Sequence, residues 1–249
     1  MKSFVLFLLA ALALPAGAVD KLSGSNVDVR TTVTFKVSET AVQKLMPDGW
    51  ESSPPPAGPF KGFNLAVVLI DSISAQDAEG KPMAPTRSAV LAVPARKKGS
   101  DATVTMVVYG ITLREGAPGA YGVYAPGQAA VERRVGAGTD GRSNADETWL
   151  FTAEDGNAID LRIQYQRGAT VKSKVEQKTY SGARPDFYRI YRWDQVADIV
   201  RSTPTGTDRV TNISFKATGP KLGQVFDGAE QVVGVMSIPS YSRMVFLPD

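Results

Sequence analysis

The side chain in this 249-residue sequence whose setting first suggests chemistry is an amide, Asn64. It stands in Phe63-Asn64-Leu65-Ala66-Val67-Val68-Leu69-Ile70-Asp71, an otherwise apolar run. A carboxamide pointing into apolar surroundings must find a hydrogen-bond partner in the protein or in a ligand, since burying it bare is costly. The rest of the inventory is restrictive. Histidine and cysteine are both absent, which removes the commonest general base, the commonest transition-metal ligand, every Ser-His or Cys-His arrangement and all thiolate chemistry. Any chemistry falls to carboxylates, Lys, Arg, Tyr or a bound ligand, and no cofactor and no metal site is predicted. The one dense cationic cluster, Arg96-Lys97-Lys98, sits in Pro94-Ala95-Arg96-Lys97-Lys98-Gly99-Ser100-Asp101, which reads as an exposed hairpin turn.

The elements that must position these groups are strands. The Phe63–Asp71 run is rich in β-branched residues and apolar on both alternating faces, so it reads as a strand with protein on each side. Val27 to Val37 alternates, with Val29, Thr31, Val33, Phe35 and Val37 on one face. Ser38 offers an N-cap to a short helix carrying Ala41, Val42 and Leu45 and stopped by Pro47. Three consecutive prolines at 54–56 make the next stretch a surface loop. From Asp71 onward, Gly-, Asn- and Asp-rich turns recur at strand-length intervals, which predicts antiparallel hairpins closing into a barrel or a sandwich. Asp194 is expected to cap a second short helix through Val196, Ile199 and Val200. Residues 136–146 form the most polar mid-chain stretch and read as a loop at one end of the fold.

The N-terminus predicts export. Lys2, the apolar stretch Phe4 to Leu14 and the small residues Ala16-Gly17-Ala18 have the form of a secretory signal peptide over residues 1–18, cut after Ala18. Its apolar core is too short to span a bilayer, so the mature chain, residues 19–249, is expected in the periplasm or the medium with no membrane span. One domain is expected, held by a packed core with no disulfide staples. The 28 basic and 25 acidic residues leave a formal charge of +3, and the basic residues are scattered, which is no nucleic-acid footprint. The oligomeric state stays open, a homo-oligomer included.

Several segments, in order, resemble the acetoacetate decarboxylase family. Val42-Gln43-Lys44-Leu45-Met46-Pro47 looks like its proline-ended helix, and Arg184-Pro185-Asp186-Phe187-Tyr188-Arg189-Ile190 like its Arg-Pro-Asn-Tyr strand start. Thr218-Gly219-Pro220-Lys221-Leu222, then Phe226-Asp227, then Val233-Gly234-Val235-Met236-Ser237 are similar to its C-terminal region. The resemblance implies a mainly β fold, a closed antiparallel β-barrel with two short helices around an apolar cavity. In that family a lysine of depressed pKa forms a Schiff base with a β-keto acid. The resemblance puts the family's acid at Glu132, beside Arg133, yet the following Val135-Gly136-Ala137-Gly138-Thr139-Asp140-Gly141-Arg142 holds no lysine. Activity is therefore not carried over with the fold.

What the resemblance implies for the site is accordingly partial. A family glutamate falls at about Asn64, a second one in the neighbourhood of Arg87, and the family's first-strand arginine near Arg30. Glu132 and Arg133 read equally as a pocket acid with a carboxylate clamp or as a structural ion pair. Tyr109, Tyr121 and Tyr124 are candidates to line the cavity with phenols, Arg184 reads as structural, and Trp149 and Trp193 read as core. The function expected is binding of a small, largely apolar ligand bearing a carbonyl or carboxylate, with Asn64, Tyr109 and Arg87 as ligand-binding candidates. The rival is a lyase, hydratase or decarboxylase using Glu132 as acid and base and Arg133 to neutralise charge, without a covalent lysine intermediate.

Overall fold

The computed structural model describes residues 20–137 and 143–248. The expected signal peptide and the middle of the polar 136–146 stretch lie outside them. The chain opens with β1 (Lys21–Lys36), α1 (Glu39–Leu45) and β2 (Trp50–Ser52), crosses the proline loop, and continues with β3 (Leu65–Asp77), β4 (Pro82–Met83), β5 (Arg87–Lys97) and β6 (Thr103–Leu113). After a 3-10 turn at Arg114–Gly116 come β7 (Tyr124–Ala137), β8 (Ser143–Ala153), β9 (Ala158–Gln166), β10 (Val171–Ser181) and β11 (Tyr188–Ser202). The short β12 (Thr207–Asp208), β13 (Val210–Thr218), a second 3-10 turn at Leu222–Gln224 and the long β14 (Gln231–Leu247) complete it.

Hydrogen-bonded neighbours run β6-β10-β11-β14-β1-β3-β5, and β5 pairs with β6 again, so the pairings return on themselves through seven strands. A flanking sheet, β7-β8-β9-β13, leaves the ring at β6. The fork is visible in the register. One edge of β6 is shared, with Thr105 to Val107 pairing β10 and Gly110 to Leu113 pairing β7, both in parallel. The other edge pairs β5 antiparallel, with a register shift between the Leu91–Tyr109 and Ala92–Val107 pairs. The fold is mainly β as expected, with these two parallel junctions in an otherwise antiparallel arrangement.

Alternation on the ring strands sorts two interiors. Val33, Phe35, Leu65, Val67, Leu69, Ala89, Leu91 and Met106 are fully buried and belong to the same core as Trp149, Phe151, Leu161 and Ile163 of the flanking sheet. Phe35 meets Phe215 and Phe226 at ring-centroid distances of 4.6 and 5.2 Å. The intervening residues Thr32, Ala66, Val68, Ile70, Val90 and Ala92 instead line a cavity within the ring. The apolar run that stands out in sequence is thus a wall with a solid core behind it and a void in front.

The first helix forms where expected, but Asp194 caps no helix. Residues 188–202 are one strand, and α1 is the single α-helix among the described residues. Register shifts between Val196 and Asp198 and between Ile199 and Arg201 interrupt the pairing of β11 with β14. Each bulge adds a residue and breaks the period-two pattern, so Val196, Ile199 and Val200 acquire a helix-like spacing within a strand.

Candidate functional site

Of the residues singled out in the sequence, Tyr121 and Tyr124 line the cavity within the ring, while Asn64, Arg87, Tyr109, Glu132 and Arg133 do not converge on it. Asn64 is fully buried, and its partners are protein: its Oδ1 accepts from the Val37 N–H at 2.9 Å, while its Nδ2 donates to Val37 O at 2.9 Å and Glu39 Oε1 at 3.0 Å. It ties the end of β1 to the start of α1 and stands outside the cavity lining. Asn64→Leu should therefore cost about 1–3 kcal/mol by stranding the Val37 backbone groups. Chemical denaturation would show it, and an unchanged midpoint would contradict the role.

Glu132 is exposed on β7 and lies 3.5 Å from Arg134. Its neighbour Arg133 points the other way and donates to Glu147 Oε1 at 3.3 Å. Tyr109 is buried near the fork and donates to Asp155 Oδ2 at 2.9 Å. Burial first, then the Asp155 carboxylate, pushes its phenol above the ordinary range. Arg87 forms an exposed pair with Asp71 at 2.9 Å. Lys97 and Lys98 are exposed at the β5–β6 turn. Arg184 has the structural place expected of it: its guanidinium donates to Ala120 O and lies 4.3 Å over the Phe187 ring. Just before it, Ser181 Oγ donates to Tyr121 O at 2.6 Å. Together these hold the segment that carries Tyr121 and Tyr124 against the ring.

What the ring encloses is a first cavity of about 280 Å³, at the small end for a ligand site. Its walls are largely apolar, from Ala66, Val68 and Ile70 of β3, Val90 and Ala92 of β5, and Met236 and Ile238 of β14. Two guanidiniums interrupt them. Arg30 of β1 is buried, donates to Asp28 Oδ2 from Nε at 3.1 Å and again from Nη2, and stacks 3.4 Å over the Tyr241 ring. Arg243 of β14 donates to Asn26 Oδ1 at 2.8 Å and lies 4.2 Å over the Tyr191 ring. It stands in the lining of the cavity. Burial works against its charge, but Tyr191, Tyr241 and Asp28 outweigh that and raise its pKa further. Stacking on an aromatic face leaves a guanidinium's remaining N–H groups for an anion: Arg243 spends Nε on Asn26, and Arg30 spends Nε and Nη2 on Asp28.

The phenols around these cations are donors. The Tyr121 and Tyr191 hydroxyls hydrogen-bond each other. The Tyr124 ring fills a slot between two glycines: a Cβ on Gly110 or on Gly119 would approach it to 2.0 Å, and Gly119 also has φ +68°. Burial is the leading cause raising the pKa of Tyr109, Tyr121, Tyr124, Tyr165 and Tyr241. A raised folded-state pKa stabilises below the unfolded value of about 10 and is lost as pH climbs past it, because the unfolded chain ionises first. Tyr109, Tyr121, Tyr124, Tyr165 and Tyr241 should give no phenolate absorbance before alkaline unfolding; stepwise ionisation of all eight tyrosines in the folded protein would contradict this.

Trp193, expected in the core, lines this cavity, and its indole nitrogen has no hydrogen-bond partner. A second chamber, about 300 Å³, adjoins the first and shares Ile70, Val90, Tyr121, Tyr124, Tyr191 and Arg243 with it. Arg30 was legible only as a neighbour of the resemblance's arginine, and Arg243 was missed. The signal for Arg243 was present: Tyr241, Arg243 and Val245 alternate toward one face of a strand. Among the described residues no cluster of three or more Asp or Glu could hold a metal ion, and no helix is long and apolar enough to cross a membrane.

No family model and no curated protein sequence matches the chain. Solved structures do. An acetoacetate decarboxylase-like enzyme from Sphingomonas wittichii RW1 is similar at 11% identity, TM-score 0.55, over 96% of this chain and 97% of that one. The enduracididine biosynthesis enzyme MppR, complexed with pyruvate, is similar at 12% identity, TM-score 0.53, over 93% and 91%. The same enzyme with the condensation product of pyruvate and imidazole 4-carboxaldehyde gives 12% identity and TM-score 0.51, over 94% and 92%. At these identities the likeness is one of fold, and it runs nearly end to end in both chains: this protein has the acetoacetate decarboxylase-like fold.

Proposed function

We propose that the ring works as a closed barrel holding one small, largely apolar ligand, with the ligand's carboxylate or carbonyl oxygen on Arg30 and Arg243. The observation that carries this is the pair of guanidiniums, each laid on a tyrosine ring, in the wall of a largely apolar cavity. The described lining of this cavity holds two arginines, Arg30 and Arg243, and no carboxylate, so an anion offsets the excess charge. Apolar walls take the body of the ligand and the phenols donate to a second oxygen. That MppR is described with pyruvate, a small acid with a carbonyl, is in keeping with this.

Binding in this reading is noncovalent. In support, no lysine is among the described lining residues of either chamber. The rival reading through Glu132 acid–base chemistry gains nothing from the geometry, since that carboxylate is exposed beside Arg134. Export belongs to the same proposal, resting on the Lys2-to-Ala18 pattern, and the secreted protein would begin at Val19.

Calorimetric titration with hexanoate and with hexanol tests the binding, and borohydride reduction in the presence of 3-oxohexanoate tests its noncovalent nature. Hexanoate should bind and hexanol much more weakly, with no mass adduct after reduction. Equal affinity for acid and alcohol would defeat the arginine reading, and a reduced imine on any lysine would defeat the noncovalent one.

A further inference from the structure

The second chamber differs from the first in character. Its own walls carry Ser72, Ser88, Thr112, Asn26 and Asp28, where the first presents aliphatic side chains. Two buried polar atoms in that lining have no hydrogen-bond partner: the carboxylate oxygen Asp28 Oδ1 and the guanidinium nitrogen Arg189 Nε. Asp28 is 1% exposed, and its other oxygen is the one occupied by Arg30. One orphan accepts and the other donates. Buried groups of this kind are rarely left unpaired, and an acceptor with a donor in one polar chamber describes the complement of what fills it.

We propose that the second chamber is a separate binding site for a small hydroxy- or amino-carboxylate. A hydroxyl or ammonium of that molecule donates to Asp28 Oδ1, and its carboxylate accepts from Arg189, which belongs to this chamber alone. The chamber's hydroxyls serve the remaining polar atoms. The apolar first chamber offers no such set, so the two chambers select different molecules and meet at the layer of Tyr121, Tyr124, Tyr191 and Arg243. The site stands on the second chamber's own lining and does not require that the first chamber binds hexanoate.

Glycerate and L-serine serve as probes, titrated into the full mature chain by calorimetry. At least one should bind, and saturating hexanoate should not displace it. Two variants read the location. Arg189→Met removes the orphan donor and should weaken probe binding at least tenfold. Ala84→Trp, at an exposed position in the chamber's lining, should obstruct the mouth and do the same in a chain whose buried residues are all unchanged. Hexanoate affinity should move less than twofold in both. Binding of neither probe, displacement by hexanoate, or binding unaffected by both variants would each overturn the proposal. Loss of hexanoate binding in the wild type would strike the first chamber's reading alone.

Discussion

Replacing Arg243 by methionine is expected to weaken hexanoate binding by roughly 30- to 150-fold, the equivalent of about 2–3 kcal/mol for charge-assisted hydrogen bonds in a desolvated site. Arg243 is the better choice of the two arginines. Arg30 also neutralises Asp28, so losing Arg30 would leave a buried carboxylate unpaired and confuse binding with stability. Arg243 gives up one bond to Asn26 and its place over Tyr191, and methionine keeps most of the volume against that ring. Affinity should fall while the thermal midpoint moves by only a few degrees. An unchanged affinity in a folded variant would remove Arg243 from the site.

The largest stability effect is expected at a residue outside the cavity. Glu147 of β8 is 1% exposed and accepts four hydrogen bonds. Thr31 Oγ1 donates at 2.5 Å and Trp149 Nε1 at 2.9 Å to one oxygen; Tyr165 OH at 2.8 Å and Arg133 Nη2 at 3.3 Å donate to the other. Thr31 belongs to the ring and the other three to the flanking sheet, so this one carboxylate joins the two. Glu147→Ala should cost about 3–5 kcal/mol, since it strands a guanidinium and the buried donors of Thr31 and Trp149, while Tyr165 OH keeps Ser237 Oγ at 2.7 Å. That is a large part of a typical domain's whole stability. Urea unfolding measures it, and a loss under about 1 kcal/mol would show that the network is not what holds the layers together.

Glu147 also shows why the site was hard to read. The sequence directs attention to Glu132-Arg133 as a pair, but strand alternation sends the two side chains to opposite faces of β7. Arg133 goes in to meet Glu147, and Glu132 goes out. An acid and a base adjacent in a strand are placed apart by the pleat itself. Asn64 reads as an amide needing partners, and the structure supplies them from Val37 and Glu39.

The strands themselves were legible because apolar residues alternate or run together over strand lengths. β1 was seen with Val29, Thr31, Val33 and Phe35 on one face, and that face is the core. The opposite face, Asp28, Arg30 and Thr32, is polar, and in the structure it lines the chambers. Periodicity tells two faces apart, and it cannot tell a polar face turned to a cavity from one turned to water. The same limit hid Arg243. In β11 the bulges were the obstacle, turning a strand into an apparent helix. The resemblance rests on the order of several segments along the chain, and the likeness to solved structures of that fold is likewise nearly full-length.

The most direct measurement is where hexanoate sits. With methyl-labelled protein and unlabelled ligand, intermolecular nuclear Overhauser effects from the hexanoate methyl should reach Ala66, Val68, Ala92, Met236 and Ile238, the aliphatic wall of the first chamber. Effects confined instead to the exposed Val135 of β7 or Val171 of β10 would place the ligand outside the ring and contradict the account.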